Sequence, residues 1–174
     1  MFMACEKGHD GVARMLLTHA ATDVNKARTN DGSTPLFIAC QEGNAGVVRL
    51  LLAHASTEVN QATTVNGTTP LFMACAKGHE GLVRLLLAQS AAKVINQART
   101  DDGDTPLHIA CGRGHEGVVR SLLGNAAVDV NQPATDDGTT PLMHAWRKGH
   151  EGVVRLLLAN PSTHVNEATK DGGA

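Results

Sequence analysis

Residues 66 to 88, NGTTPLFMACAKGHEGLVRLLLA, set Cys75 and His79 four residues apart. A thiol beside an imidazole can serve as nucleophile and base, and cysteines with histidines can hold zinc. Cysteines stand at Cys5, Cys40, Cys75 and Cys111. Their spacing turns both chemistries aside: equivalent positions of stacked helix pairs lie about 8–10 Å apart, too far for an unstrained disulfide or a shared tetrahedral ion. They read as small buried apolar residues, with a single oxidation-sensitive thiol as the alternative. His9, His79, His115 and His150 form a ladder in which Asn44 fills the remaining slot. A slot that accepts asparagine suits a hydrogen-bonding turn better than proton transfer. His144, in LMHAW, takes a normally apolar slot, either as a satisfied core histidine or as a mark of an open last interface. No separate nucleophile and orienting partner accompanies it, so the reading is of no catalysis, no metal and no cofactor.

The elements that position these residues repeat. Thr-Pro-Leu occurs at Thr34, Thr69, Thr105 and Thr140, at intervals of 35, 36 and 35 (69−34, 105−69, 140−105). Val-Asn or Ile-Asn recurs at Asn25, Asn60, Asn96, Asn131 and Asn166, and the block VVRLLL or a variant starts at Val12, Val47, Leu82, Val118 and Val153. The extra residue of the third interval falls between Leu87 and Asn96, in KVIN, and reads as a one-residue loop insertion. Approximate units are 1–28, 29–63, 64–99, 100–134 and 135–169, within one domain over 1–174.

Each unit has a physical reading. Asp-Gly or Asn-Gly (Asp31-Gly32, Asn66-Gly67, Asp102-Gly103, Asp137-Gly138) supplies the positive φ angles of a tight hairpin turn. Thr then Pro gives an N-cap hydroxyl and a pre-set first helical φ, so a short helix opens at Thr34 and its equivalents. Gly43, Gly78, Gly114 and Gly149 close it. A second helix starts near the following acid, as at Glu80, and runs to about Ala88. One such pair cannot cover its own apolar stripe, so neighbours must stack into an all-α repeat solenoid with projecting β-hairpin-like turns.

These motifs resemble the ankyrin repeat family along the whole chain, best in TPLHIACGRGHEGVVRSLL (105–123) followed by VDVN (128–131). The unit is two residues longer than the family's usual one. The family histidine after Thr-Pro-Leu survives only as His108, bonded to Thr105 on this reading, and is Phe37, Phe72 and Met143 elsewhere. The resemblance implies a module that binds other proteins through a concave face of turn tips and first helices. It also implies possible hydroxylation at the Val-Asn asparagines.

Composition narrows the rest. The 174 residues carry a formal charge of −2, with no long run of one sign, which argues against nucleic acid. No apolar run approaches the roughly 20 residues of a membrane helix, and the start lacks a signal-peptide layout. An intracellular, cytoplasmic protein with reduced cysteines is expected. Aromatics make up 2%, so the core must come from Leu, Val, Ala and Met. Arg14, Arg49, Arg84, Arg120 and Arg155 form a ladder, four of them set four residues after Asp10, Glu80, Glu116 and Glu151. They read as a paired, solvated face rather than an anion-binding stripe. Arg49 has Ala45 in place of an acid.

Individuality belongs where the units disagree. Turn tips carry Asn30, Asp31 and Ser33, then Val65, Asn66 and Thr68, then Asp101, Asp102 and Asp104, then Asp136, Asp137 and Thr139. Short-helix ends carry Gln41 and Glu42, Ala76 and Lys77, Gly112 and Arg113, and Arg147 and Lys148. These are the expected partner contacts: acidic tips beside helices that turn basic toward the C-terminus. Turn geometry alone is the competing account of the tip Asp residues. The segment 170–174 reads as the start of a truncated sixth unit, and neither end has a polar capping repeat. A monomer is favoured. The alternative function is a spacer or self-assembling array touching through hydrophobic ends, where Trp146 replaces the cysteine of other units.

Overall fold

A threonine followed by proline starts every first helix but that of the opening unit. In the computed structural model, which describes residues 1–90 and 92–165, the helices come in chain-ordered pairs. They are α1 (Phe2–Lys7) and α2 (Asp10–Thr18), α3 (Pro35–Glu42) and α4 (Ala45–Ala53), and α5 (Pro70–Lys77) and α6 (Glu80–Leu87). A short α7 (Ala92–Ile95) follows, then α8 (Pro106–Gly112) and α9 (Glu116–Leu123), and α10 (Pro141–Arg147) and α11 (Glu151–Leu158). The Thr34 and Thr69 hydroxyls each accept the third backbone N–H of their helices, from Phe37 and Phe72, at 3.1 Å. Thr105 and Thr140 do the same for His108 and Met143 at 3.4 Å. Such caps contribute about 1 kcal/mol each. Left-handed glycines end the same helices, with φ from 71° to 76° at Gly43, Gly78, Gly114 and Gly149.

The expected insertion sits where α7 forms, and the extra residue is absorbed as one helical turn. The tips differ from the expected hairpin in one respect. Among the described residues only glycine takes positive φ, as at Gly32 (75°) and Gly103 (80°). The preceding Asp or Asn stays right-handed and uses its side chain instead: Asp31, Asp102 and Asp137 accept the backbone N–H of Ser33, Asp104 and Thr139 at 2.8 to 3.0 Å. This is an Asx turn, available to a short polar side chain without αL strain. The turn closes with Gly32 N–H to the Arg28 carbonyl and Arg28 N–H to the Ser33 carbonyl, both 2.9 Å.

First helices pack in one row, α1 on α3 on α5 on α8 on α10, and second helices in another, α2 on α4 on α6 on α9 on α11. Leu51, Leu86, Leu122 and Leu157 are fully buried, alongside Val47, Val83 and Val119. The four free cysteines fill the space between them. Burial pushes the Cys5 thiol up to about 11 and the other three higher still, which holds each as the neutral thiol.

Three polar links join neighbouring units. The Gly-His histidines reach back to the preceding first helix: His79, His115 and His150 Nε2 lie 3.4, 3.2 and 3.1 Å from the carbonyls of Gln41, Ala76 and Gly112. Asn44 donates to the Cys5 carbonyl at 2.7 Å, which is why asparagine can take that slot. The Val-Asn asparagines clasp the next unit. Asn25, Asn96 and Asn131 each donate to a carbonyl (Ser56, Ala127, Ser162) and accept an N–H (Glu58, Asp129, His164), at 2.6 to 2.9 Å. Asn60 accepts from the Ser90 hydroxyl at 3.2 Å. Asn166 and the 170–174 segment lie outside the described residues. Finally, the tips are stitched by one backbone bond per step: Thr64 N–H to Asp31, Thr100 to Asn66 and Asp136 to Asp102.

The arginine ladder pairs in part. Arg84 meets Glu80 at 3.2 Å and Arg155 meets Glu151 at 3.3 Å. The acids of Asp10, Glu80 and Glu116 also lie over Gly46, Gly117 and Gly152 at the start of the next second helix, so close that a methyl group there would overlap the carboxylate. Where Ala45 replaces the acid, the space over Gly81 is open.

Candidate partner-binding surface

Periodicity fixes which residues stack, and what is left over lines the tips and the ends of the first helices. Asn30, Glu42, Val65, Lys77, Asp101, Arg113, Asp136, Arg147 and Lys148 are exposed there. Asp31, Gln41, Asn66, Ala76, Asp102, Asp104, Gly112 and Asp137 are half-buried. Ser33, Thr68 and Thr139 are buried, and the structure corrects their reading as contact residues. Their hydroxyls are turned inward: Thr68 and Thr139 donate to Asn66 and Asp137 in their own turns at 2.6 Å.

Two arginines escaped the sequence reading. Arg28 lies 5.1 Å from the Phe2 ring centre and 3.7 Å from Glu6, and Arg99 lies 5.4 Å from the Phe72 ring centre. Arg99 also pairs with Asp101 and, at 3.4 Å, with Asp102. Each guanidinium covers the phenylalanine that takes the family histidine's slot in its own unit, a cation–π contact between the end of the unit and its first helix. The signal was present in KARTNDG and QARTDDG, since the other two units carry Thr63 and Ala134 at that position.

At the seam between the tips of the fourth and fifth units, Asp102, Asp104, Asp136 and Asp137 surround a cavity of about 340 Å³ whose other wall is His144, Arg147 and Lys148. The carboxyls differ sharply. Partial burial raises Asp137, yet hydrogen bonds from Thr139 and Arg147 overcome this and hold it at about 2. Asp104 moves the other way, to about 7, through burial and then the charges of Asp102 and Asp136. His108 is fully buried, and desolvation drops it to about 4. Its Nδ1 receives the Thr105 N–H at 3.2 Å, and its Nε2 lies 3.0 Å from the Thr139 carbonyl, so the neutral Nε2–H tautomer satisfies both. The expected His108–Thr105 bond is present, extended to the next unit. His144 sits edge-on to His108, ring centres 5.2 Å apart, with Nε2 3.0 Å from the Thr139 hydroxyl. It is a satisfied, half-buried histidine on a packed seam.

The row of stacked helix pairs, the threonine-capped first helices and the left-handed closing glycines coincide with a family model described as Ankyrin repeats (3 copies), which matches residues 1–98 and 91–169. The chain belongs to the ankyrin-repeat family. No curated protein matches it. Ankyrin repeats are in general protein–protein interaction modules and typically non-catalytic. Among the described residues of this ankyrin array, no helix is long and apolar enough to cross a membrane, and no three His, Cys, Asp or Glu side chains group as metal ligands.

Proposed function

We propose that this chain binds a protein partner along its tips and first-helix ends, the concave face of an ankyrin array, by rigid presentation rather than catalysis. One observation carries the reading: among the positions at which the units differ, Asp136, Arg147 and Lys148 are exposed, and with Asp102, Asp104 and Asp137 they place acidic tips opposite a basic helix end around a cavity. Side chains already held by caps, clasps and turns lose little further freedom on binding, which favours affinity. A partner segment carrying both charge signs matches this surface. Asp101→Lys with Asp136→Lys, both exposed, should lower partner recovery about tenfold in a quantitative pull-down, the scale of a few rim charges. Unchanged recovery, with circular dichroism confirming the fold, would move the site off this face.

A second reading rests on Met3, Met15, Trp146 and Leu158, which are 51 to 66% exposed on the outer units. Those faces suit contact with a further repeat unit. Light scattering across a concentration series checks this, and a constant monomer mass would reject it.

A further inference from the structure

The tip slot that holds a hydroxyl in three units (Ser33, Thr68, Thr139) holds Asp104 in the fourth, and the helix slot of Ile38, Met73 and Ile109 holds His144 in the fifth. These two ionisable departures from the repeat meet: His144 Nε2 lies 3.6 Å from Asp104 Oδ1. Thr139 fixes the imidazole. Its hydroxyl donates to Asp137, so it accepts from His144, and the Nε2 hydrogen points toward both Thr139 and Asp104. The open proton sites are therefore His144 Nδ1 and the Asp104 carboxylate.

The groups facing this pair come from every neighbouring element. Asp102 and Arg99 belong to its own tip, Asp136 and Asp137 to the tip of the fifth unit, His108 to α8, and Arg147 and Lys148 to α10. Arg99 is engaged by Asp101 and Asp102, and Arg147 by Asp137, so Arg99 offsets the charge on Asp104 only in part. The tip stitch at this seam, from Asp136 N–H to Asp102, is the longest of the three, 3.3 Å against 2.9 Å for the two before it.

We propose that Asp104 and His144 form a proton-operated latch on the seam between the tips of the fourth and fifth units, closed with one proton bound and loosened when it is lost. A proton arriving from solvent at Asp104 removes one carboxylate charge. At His144 Nδ1 it makes an imidazolium whose Nε2–H faces that carboxylate. Either route raises the cavity charge by one and lowers the repulsion between Asp102, Asp104, Asp136 and Asp137.

Hydrogen exchange by NMR on the whole chain tests the latch at the Asp136 amide. Its protection, corrected for intrinsic rate, should fall about tenfold between pH 6 and pH 8, within the limit set by linkage to one proton. Asp104→Thr and His144→Ile each restore the residue other units carry and remove one of the two proton sites, so each should move the midpoint of the fall; the double variant, which keeps neither site, should hold the change below about twofold. Asp104→Asn with His144→Ile, which keeps the side-chain volume at 104, carries the same expectation should Asp104→Thr disturb the spectrum. A flat wild-type profile, or a tenfold fall that persists in the double variant, overturns the proposal.

Discussion

Single side chains set the pH response of this array, and two of them oppose each other. His108 falls from 6.5 to about 4 on folding because its site excludes water. A depressed pKa gives stability that is complete above the unfolded value and lost as pH falls from about 6.5 through 4. Asp104 rises from 3.8 to about 7, through burial and neighbouring acids. A raised pKa gives stability present below about 4 and lost as pH climbs through 7. Wild-type stability should therefore change little between pH 4.5 and 6 and fall between 6 and 7.5. Asp104→Thr should convert this to a curve that rises to pH 6.5 and then levels, as read from urea midpoints at each pH.

Whole elements depend on glycines for two different reasons, and substitution separates them. Gly103 holds φ at 80°, and an added methyl would meet the Thr135 backbone. Gly103→Ala should therefore cost about 1–3 kcal/mol in chemical unfolding. Gly81 has ordinary helical backbone in α6 and open space around it. Gly81→Ala should stabilise the same protein by roughly 0.5–1 kcal/mol through helix propensity. The sister change Gly152→Ala forces the Glu116 carboxylate off the start of α11 and should recover less of that gain. Equal effects at Gly81 and Gly152 would show that the acid over the next helix contributes nothing.

At the scale of the molecule, each unit leans on its neighbours, so a broken link should act where it sits. Asn131→Ala removes the clasp to Ser162 and His164, a loss of about 1–2 kcal/mol for two exposed hydrogen bonds. Unit five should then lose exchange protection while units one to three keep theirs. His115→Ala breaks an interior seam, freeing the Ala76 carbonyl, and should lower protection on both sides of it. A uniform loss in both variants would mean the array unfolds as one block.

Much of this was legible in the residues alone, because a repeat states its own rules several times. The period located the units, Thr-Pro and Gly marked the helix ends, and the cysteines read as filling. These are local or periodic properties, decided by backbone preference and apolar spacing. Tertiary structure decided burial and which distant side chains meet. Ser33, Thr68 and Thr139 look free in sequence and are buried by their own turns. Arg28 and Arg99 look unremarkable and cover the rings of Phe2 and Phe72. Asp104 and His144 stand 40 residues apart (144−104) and line one cavity. The sequence determined that helix pairs would form and stack. Only packing one unit on the next could set which charges meet, because burial and distance between neighbours fix a charge's energy and neither is written along one chain segment.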